Sequence, residues 1–163
     1  FGDPDLFAAL EDFSGDEDVL AHAAEISAAC CRIKVKVVEE DERDVGARMV
    51  LNFGHTIGHA VERYYHYEKY THGEGVAIGM VRLTRNTEKM GLTEHGTADR
   101  IRRLLQKDDI PTEDPISDED VLAGITMDKK KRGNQITLVI VPAIGKRMLK
   151  KVDFADLRPY VKG

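Results

Sequence analysis

Cysteine is nearly missing from this chain: 163 residues contain two, and those two, Cys30 and Cys31, are adjacent. Neighbouring cysteines rarely bridge each other, so no disulfide framework can be built from them. Set in an apolar helical stretch, the pair reads as core packing in a reduced, cytoplasmic compartment. No apolar run approaches the ~18 residues of a membrane-spanning helix, and the opening residues FGDPDLF carry no basic secretory leader. We therefore expect no membrane partner. An excess of positive charge is also lacking: 24 Lys and Arg against 29 Asp and Glu leave a net charge of −5, with a pI of about 5.7. That balance argues against an electrostatic nucleic-acid binder, although a local basic cluster can still hold a small anion. Repeats, low-complexity tracts and interdomain linkers are absent from the sequence, and its length suits one domain with a substantial core.

What is present is mostly helical. A short helix is expected around Asp5 to Asp12. The acidic SGDED segment (14–18) then opens a long helix from about Glu17 to Glu40, with a broad apolar face formed by residues such as Leu20, Ile26, Cys31, Val35 and Val38. The charged stretch 39–44 leads into a helix from about Gly46 to Tyr65. Another runs from near Gly73 to Met90 and stops at Gly91. Thr93 or Thr97 opens a fifth, with Ile101, Leu104 and Leu105 inward, and Ser117 caps a short helix reaching about Met127. The β-branched run QITLVIV (135–141) reads as a strand, Arg147 to Val152 as its partner, and Asp153 as the cap of a last short helix. The expected fold is mainly α, a multi-helix domain with one small β-hairpin near the C-terminus.

The segment RMVLNFGHTIGHAVE (48–62) is the most informative. On one continuous helix, Arg48, Asn52, His55 and His59 fall at i, i+4, i+7 and i+11 and line a single face. Val50, Phe53, Ile57 and Val61 lie away from it and can pack inward. Histidines four apart can chelate one ion, or divide into ligand and acid–base roles. Gly54 and Gly58 each cost a helix ~1 kcal/mol relative to Ala but admit close approach of another element. His72 follows in HGEGVAIGM at the start of the next helix, where it is either a first-turn residue or a ligand facing the preceding helix. The glycines there are spaced GxGxxxG with no strand before them, so they suit helix packing rather than a dinucleotide loop.

RMVLNFGHTIGHAVE followed by HGEGVAIGM resembles the C-terminal domain of 3-dehydroquinate synthase, a member of the sugar-phosphate cyclases. KVKVVEEDERDVGAR (34–48), DKK (128–130) and the IG of PAIGK agree with it. The resemblance implies the helical half of a two-domain enzyme that converts 3-deoxy-D-arabino-heptulosonate 7-phosphate to 3-dehydroquinate with loss of phosphate. It implies a lyase of the shikimate pathway, in aromatic amino acid biosynthesis, with hydride chemistry carried by NAD. On this reading residues 1–163 are a single C-terminal helical domain, and the NAD-binding N-terminal domain is absent from the chain.

By the same resemblance, His55 and His72 match the metal-ligating histidines for Zn²⁺ or Co²⁺, and His59 matches a histidine with an acid–base or hydrogen-bonding role. Lys34, Arg48 and Asn52 match catalytic, substrate-binding positions. Lys130, or equally Lys129, matches a phosphate-contacting lysine. The family's third ligand, a glutamate in a motif resembling AEVIK, has no counterpart here. The chain alone is therefore expected to be inactive and to hold zinc weakly; tight binding would point to Glu74 or Glu62 as a replacement. The family's members are commonly homodimers. Three alternatives stay open: a related sugar-phosphate cyclase, an alcohol dehydrogenase of the glycerol type, and a non-catalytic helical interaction module in which the histidines need not converge.

Overall fold

The computed structural model describes residues 2–41, 46–127 and 133–162. Helix α1 (Pro4–Asp12) starts where Asp3 accepts a hydrogen bond from the Leu6 N–H and proline occupies the first turn, both ordinary ways to open a helix. The expected long second helix is two helices, α2 (Asp16–Ala21) and α3 (Ala23–Asp41), parted at His22, whose backbone (φ −103°, ψ 12°) leaves the helical region.

The apolar breadth of α2 and α3 does not become core. Only Ala29 and Val37 of α3 are buried, while Leu20 and Val35 are 74% and 54% exposed. Cys30 and Cys31 are exposed free thiols, which overturns their reading as core residues. The physical reason is placement: α3 packs chiefly on the 3-10 segment Ala47–Asn52 and touches α2 near its start, so most of its circumference faces outward.

The helix expected over 46–65 is also divided. The 3-10 segment Ala47–Asn52 comes first, Phe53 and Gly54 break the helix, and α4 (His55–Tyr64) follows. Gly54 has φ +82°, a left-handed value that β-carbon residues resist, so it ends one helical run and starts another.

A connector with Tyr64–Tyr70 aromatics leads to α5 (His72–Lys89), which stops before Gly91 as its sequence indicates. Thr71 and Glu74 form a reciprocal capping box at the α5 start. Helix α6 (Thr97–Lys107) begins after Gly96, and α7 (Asp118–Thr126) is capped by the Ser117 hydroxyl. The hairpin of β1 (Gln135–Ile140) and β2 (Met148–Asp153) is antiparallel, with Gln135 opposite Asp153 and Ile140 opposite Met148. The final helix is split: a 3-10 turn (Phe154–Asp156), with no side-chain cap from Asp153, precedes a single turn, Arg158–Val161.

Helices α4 and α5 form the centre. They run antiparallel, because Gly54 meets Val76 and Met80, Gly58 meets Gly75 and Val76, and Glu62 meets Gly75. A β-carbon on Gly79 would collide with the Gly54 carbonyl oxygen and lie 2.8 Å from the Gly58 nitrogen, so backbone packs on backbone here. Around this pair the core gathers Ile57, Val61, Ile78, Val81, Val121 and Leu138, all at or below 1% exposure. Val50 and Phe53 are buried too, as their side of the pattern requires. Helix α7 closes on α4 through Gly124 against Ala60. Among the described residues no helix is long and apolar enough to cross a membrane.

Candidate metal centre

Close backbone contact between α4 and α5 brings the first residue of α5 beside the middle of α4. The result is a cluster of imidazoles. Ring centroids of His55 and His59 are 5.5 Å apart, those of His55 and His72 5.1 Å, and those of His59 and His72 5.4 Å. Histidines from consecutive helices therefore do converge, which a non-catalytic interaction module does not require. His59 and His72 are half open, with side chains 51% and 58% exposed, so an ion or small molecule can reach them.

Beneath the rings lies Glu62, whose side chain is 4% exposed. His59 Nδ1 lies 2.7 Å from Glu62 Oε2, and His72 Nδ1 lies 2.9 Å from Oε1, both within hydrogen-bond distance. His59, Glu62 and His72 each offer a ligand atom within 4.8 Å of the others. His55 sits at the edge of this group, its Nδ1 3.1 Å from the Phe53 carbonyl oxygen, within hydrogen-bond distance. A carbonyl only accepts, so His55 Nδ1 carries the proton and Nε2 is left with a lone pair. The donors are thus imidazole nitrogen and carboxylate oxygen, the set that Zn²⁺ and Co²⁺ accept. The residues present fit such an ion.

The other sequence-indicated residues are placed differently. Arg48 and Asn52 belong to the 3-10 segment, not to the helix of His55 and His59, so the single four-residue stripe does not form. The cause is Gly54, which turns the chain between them. The Arg48 guanidinium is well exposed and lies 3.5 Å from Asp41, whose carboxylate also accepts the N–H groups of Arg48 and Gly46 at 3.1 and 2.9 Å. Those backbone donors, with the guanidinium behind them, hold the Asp41 carboxyl below its usual range. Asn52 is exposed at the end of the segment. Lys34 is exposed on α3, beside Cys31, Val35 and Val38. Lys129 and Lys130 lie outside the described residues. Glu74 is engaged with the N–H and hydroxyl of Thr71, both in its capping box, which takes it out of the imidazole cluster. Glu62 takes the central place instead. Its signal in the sequence is its position three residues after His59, a spacing that stacks side chains on one helical face.

Comparison with known proteins gives a consistent picture. Residues 1–131 match the family model described as 3-dehydroquinate synthase C-terminal. The chain is 44% identical over 161 residues to 3-dehydroquinate synthase of Clostridium acetobutylicum, covering 98% of this chain and 45% of that protein. It is 42% identical over 160 residues to the enzyme of that name from Enterococcus faecalis, with 98% and 45% covered. The chain thus spans about 45% of the length of these relatives. Among solved structures, ValA (2-epi-5-epi-valiolone synthase) from Streptomyces hygroscopicus subsp. jinggangensis, with NAD⁺ and Zn²⁺ bound, superposes with a TM-score of 0.79 at 18% identity, covering 96% of this chain and 45% of that one. A 2-deoxy-scyllo-inosose synthase, complexed with carbaglucose-6-phosphate, NAD⁺ and Co²⁺, gives 0.67 at 22% identity over 83% of this chain and 39% of that one. At such identities these two structures establish the shared fold.

Proposed function

Because the chain belongs to the 3-dehydroquinate synthase C-terminal family, we propose that it is the metal- and substrate-binding half of a 3-dehydroquinate synthase. In that role it takes part in converting 3-deoxy-D-arabino-heptulosonate 7-phosphate to 3-dehydroquinate with release of phosphate. The observation that carries the reading is the meeting of His55, His59 and His72 within 5.5 Å, ring to ring, over one buried carboxylate.

In this reading His55 and His72 hold a Zn²⁺ or Co²⁺ ion. When bound, the ion supplies Lewis acidity toward a substrate oxygen. His59, one helical turn from His55, stands where it can hold or move a proton at a substrate hydroxyl. Arg48 suits a planar carboxylate through paired N–H donors, and Lys34 and Lys130 suit the remaining negative charge. Arg48 must exchange its contact with Asp41 for the substrate, which costs little because that pair is open to water. The hydride chemistry of NAD belongs, on this proposal, to an N-terminal half outside this chain. A homodimer and a cytoplasmic setting complete it.

Two measurements test the reading. Titration of the chain with Co²⁺, followed by its visible ligand-field bands, is expected to show a nitrogen-ligated site that both His55→Ala and His72→Ala weaken at least tenfold. A site lost in His59→Ala but kept in His55→Ala would move the ion onto His59, Glu62 and His72, a set whose donors are already assembled. The second measurement is phosphate release by the two-domain protein, supplied with NAD, the metal and a panel of sugar phosphates. Turnover of the heptulosonate phosphate supports the proposal. Turnover of a different sugar phosphate alone would make the chain part of a related cyclase.

A further inference from the structure

We propose that Glu62 is a positioning residue that sets the tautomers of His59 and His72, and so offers Nε2 of His72 to the ion and keeps Nε2 of His59 bare to take a substrate proton. The inference rests on the metal-centre reading above and deepens it. Glu62 is the deepest member of the cluster, 4% exposed, and each of its oxygens is taken by a different histidine, Oε2 by His59 at 2.7 Å and Oε1 by His72 at 2.9 Å. An ionised carboxylate only accepts hydrogen bonds. Both Nδ1 atoms must then carry protons, and in a neutral imidazole that leaves both Nε2 atoms bare. Nδ1 of each ring is turned to the buried acid, while the side chains are 51% and 58% exposed, so the bare nitrogens belong to the open side.

One residue thereby fixes two rings on two different helices. Glu62 is held in place by packing: a β-carbon on Gly75 would lie 2.9 Å from Glu62 Cγ, so a glycine is what allows the acid to lie between α4 and α5. His55 reaches the same state through another acceptor, the Phe53 carbonyl. The three rings are thus all Nδ1–H tautomers with their Nε2 atoms free, although two different acceptors hold them.

A glutamine at position 62 would keep the shape and change the logic. Its side chain offers one acceptor oxygen and one donor nitrogen. The donor nitrogen can meet only a bare Nδ1, so at least one of the two rings must carry its proton on Nε2, where it blocks ligation by His72 or removes the bare acceptor of His59.

The test uses the metal-free and the Co²⁺-titrated chain. Long-range proton–nitrogen spectra, recorded at about pH 8 where ordinary imidazoles are neutral, are expected to show His59 and His72 protonated at Nδ1. In Glu62→Gln one of them is expected to switch to Nε2–H, and where that ring is His72 Co²⁺ binding is expected to weaken roughly 10–100-fold. Glu74→Gln, which alters a carboxylate on the helix of His72 bonded to Thr71, is expected to leave tautomers and Co²⁺ affinity unchanged. The proposal is overturned if either ring of the native chain carries its proton on Nε2, a measurement that stands even should Glu62→Gln not fold. It is also overturned if Glu62→Gln leaves both tautomers and the affinity as they were. A native chain with the expected tautomers that binds no Co²⁺ would instead sink the metal-centre reading and leave the control of the tautomers by Glu62 in place.

Discussion

Away from the histidines, a second acid does structural work. The Asp114 side chain is fully buried and accepts from the Tyr65 hydroxyl at 3.0 Å, the Tyr70 hydroxyl at 2.7 Å, Lys69 at 3.0 Å and the Ile116 N–H at 2.8 Å. It ties the connector before α5 to the loop before α7. Burial works to raise its pKa, but the donors Tyr70, Lys69, Ile116 and Tyr65 together more than offset that and hold it below the usual aspartate value. Lys69 is correspondingly pushed up, first by its bond to Asp114. A carboxyl with a lowered folded-state pKa stabilises fully above the unfolded value, about 3.9, and loses that contribution as pH falls through the folded value. Asp114→Asn is expected to cost about 1–2 kcal/mol at neutral pH by urea denaturation. The deficit should shrink as pH falls from ~3.9 through the lower folded value, because the unfolded chain's carboxyl protonates first and the native acid follows. At this scale the sequence was informative about residue types and less so about roles. Histidine spacing marked His55 and His59, yet burial alone distinguishes Glu62 from the exposed acids around it.

Among the elements, the α4–α5 contact is the one on which the site depends. Gly75 and Gly79 were legible as a packing device, since GxGxxxG without a preceding strand has no phosphate to cradle, whereas Gly73 of the same pattern packs against nothing. The break at Gly54 was not legible. An HxxxH pattern and its neighbours read as unbroken helix, and only the approach of α5, with Val76 oxygen 2.5 Å from where a Gly54 β-carbon would be, shows why the chain turns left-handed there. Nor did apolar periodicity reveal that α3 would bury little more than Ala29 and Val37, because periodicity gives a face and not what covers it. Gly79→Ala is expected to push α4 from α5 and cost about 2–3 kcal/mol. It should also abolish the Co²⁺ bands, since the rings of His55 and His72 would no longer meet. Gly73→Ala is the control: nothing lies within 4 Å of a β-carbon there, so Co²⁺ binding should survive.

At the scale of the whole molecule, α5 packs on α4, α6, β1 and the C-terminal turn. Its first turn carries His72, its middle faces α4, and its far side holds the C-terminal turn. There the buried Arg82 donates through Nε to the Val161 carbonyl at 2.7 Å and through Nη2 to Asp118 at 2.6 Å, while the Asn86 amide donates to the carbonyls of Tyr160 and Lys162 at 3.0 and 2.6 Å. Arg82→Met is expected to cost about 3 kcal/mol in urea denaturation, because it strands the Val161 carbonyl and takes the guanidinium away from Asp118. Proteolysis at the C-terminal turn should quicken in the same variant. The all-helical body with one hairpin could be read from capping residues and the β-branched run at 135–141, whereas the bonds that close the molecule join residues more than 70 positions apart and leave no local pattern.

That fastening has a practical side. Ten residues of stiff helix, about 15 Å, separate the tail's anchor at Arg82 from the imidazole of His72. A handle fused directly behind Lys162 would pull on a rod whose other tip is chemically sensitive. Affinity tags, dyes and surface tethers intended for metal measurements therefore belong elsewhere, such as the two accessible thiols of α3, while substrate measurements must leave those thiols alone because Lys34 lies beside Cys31.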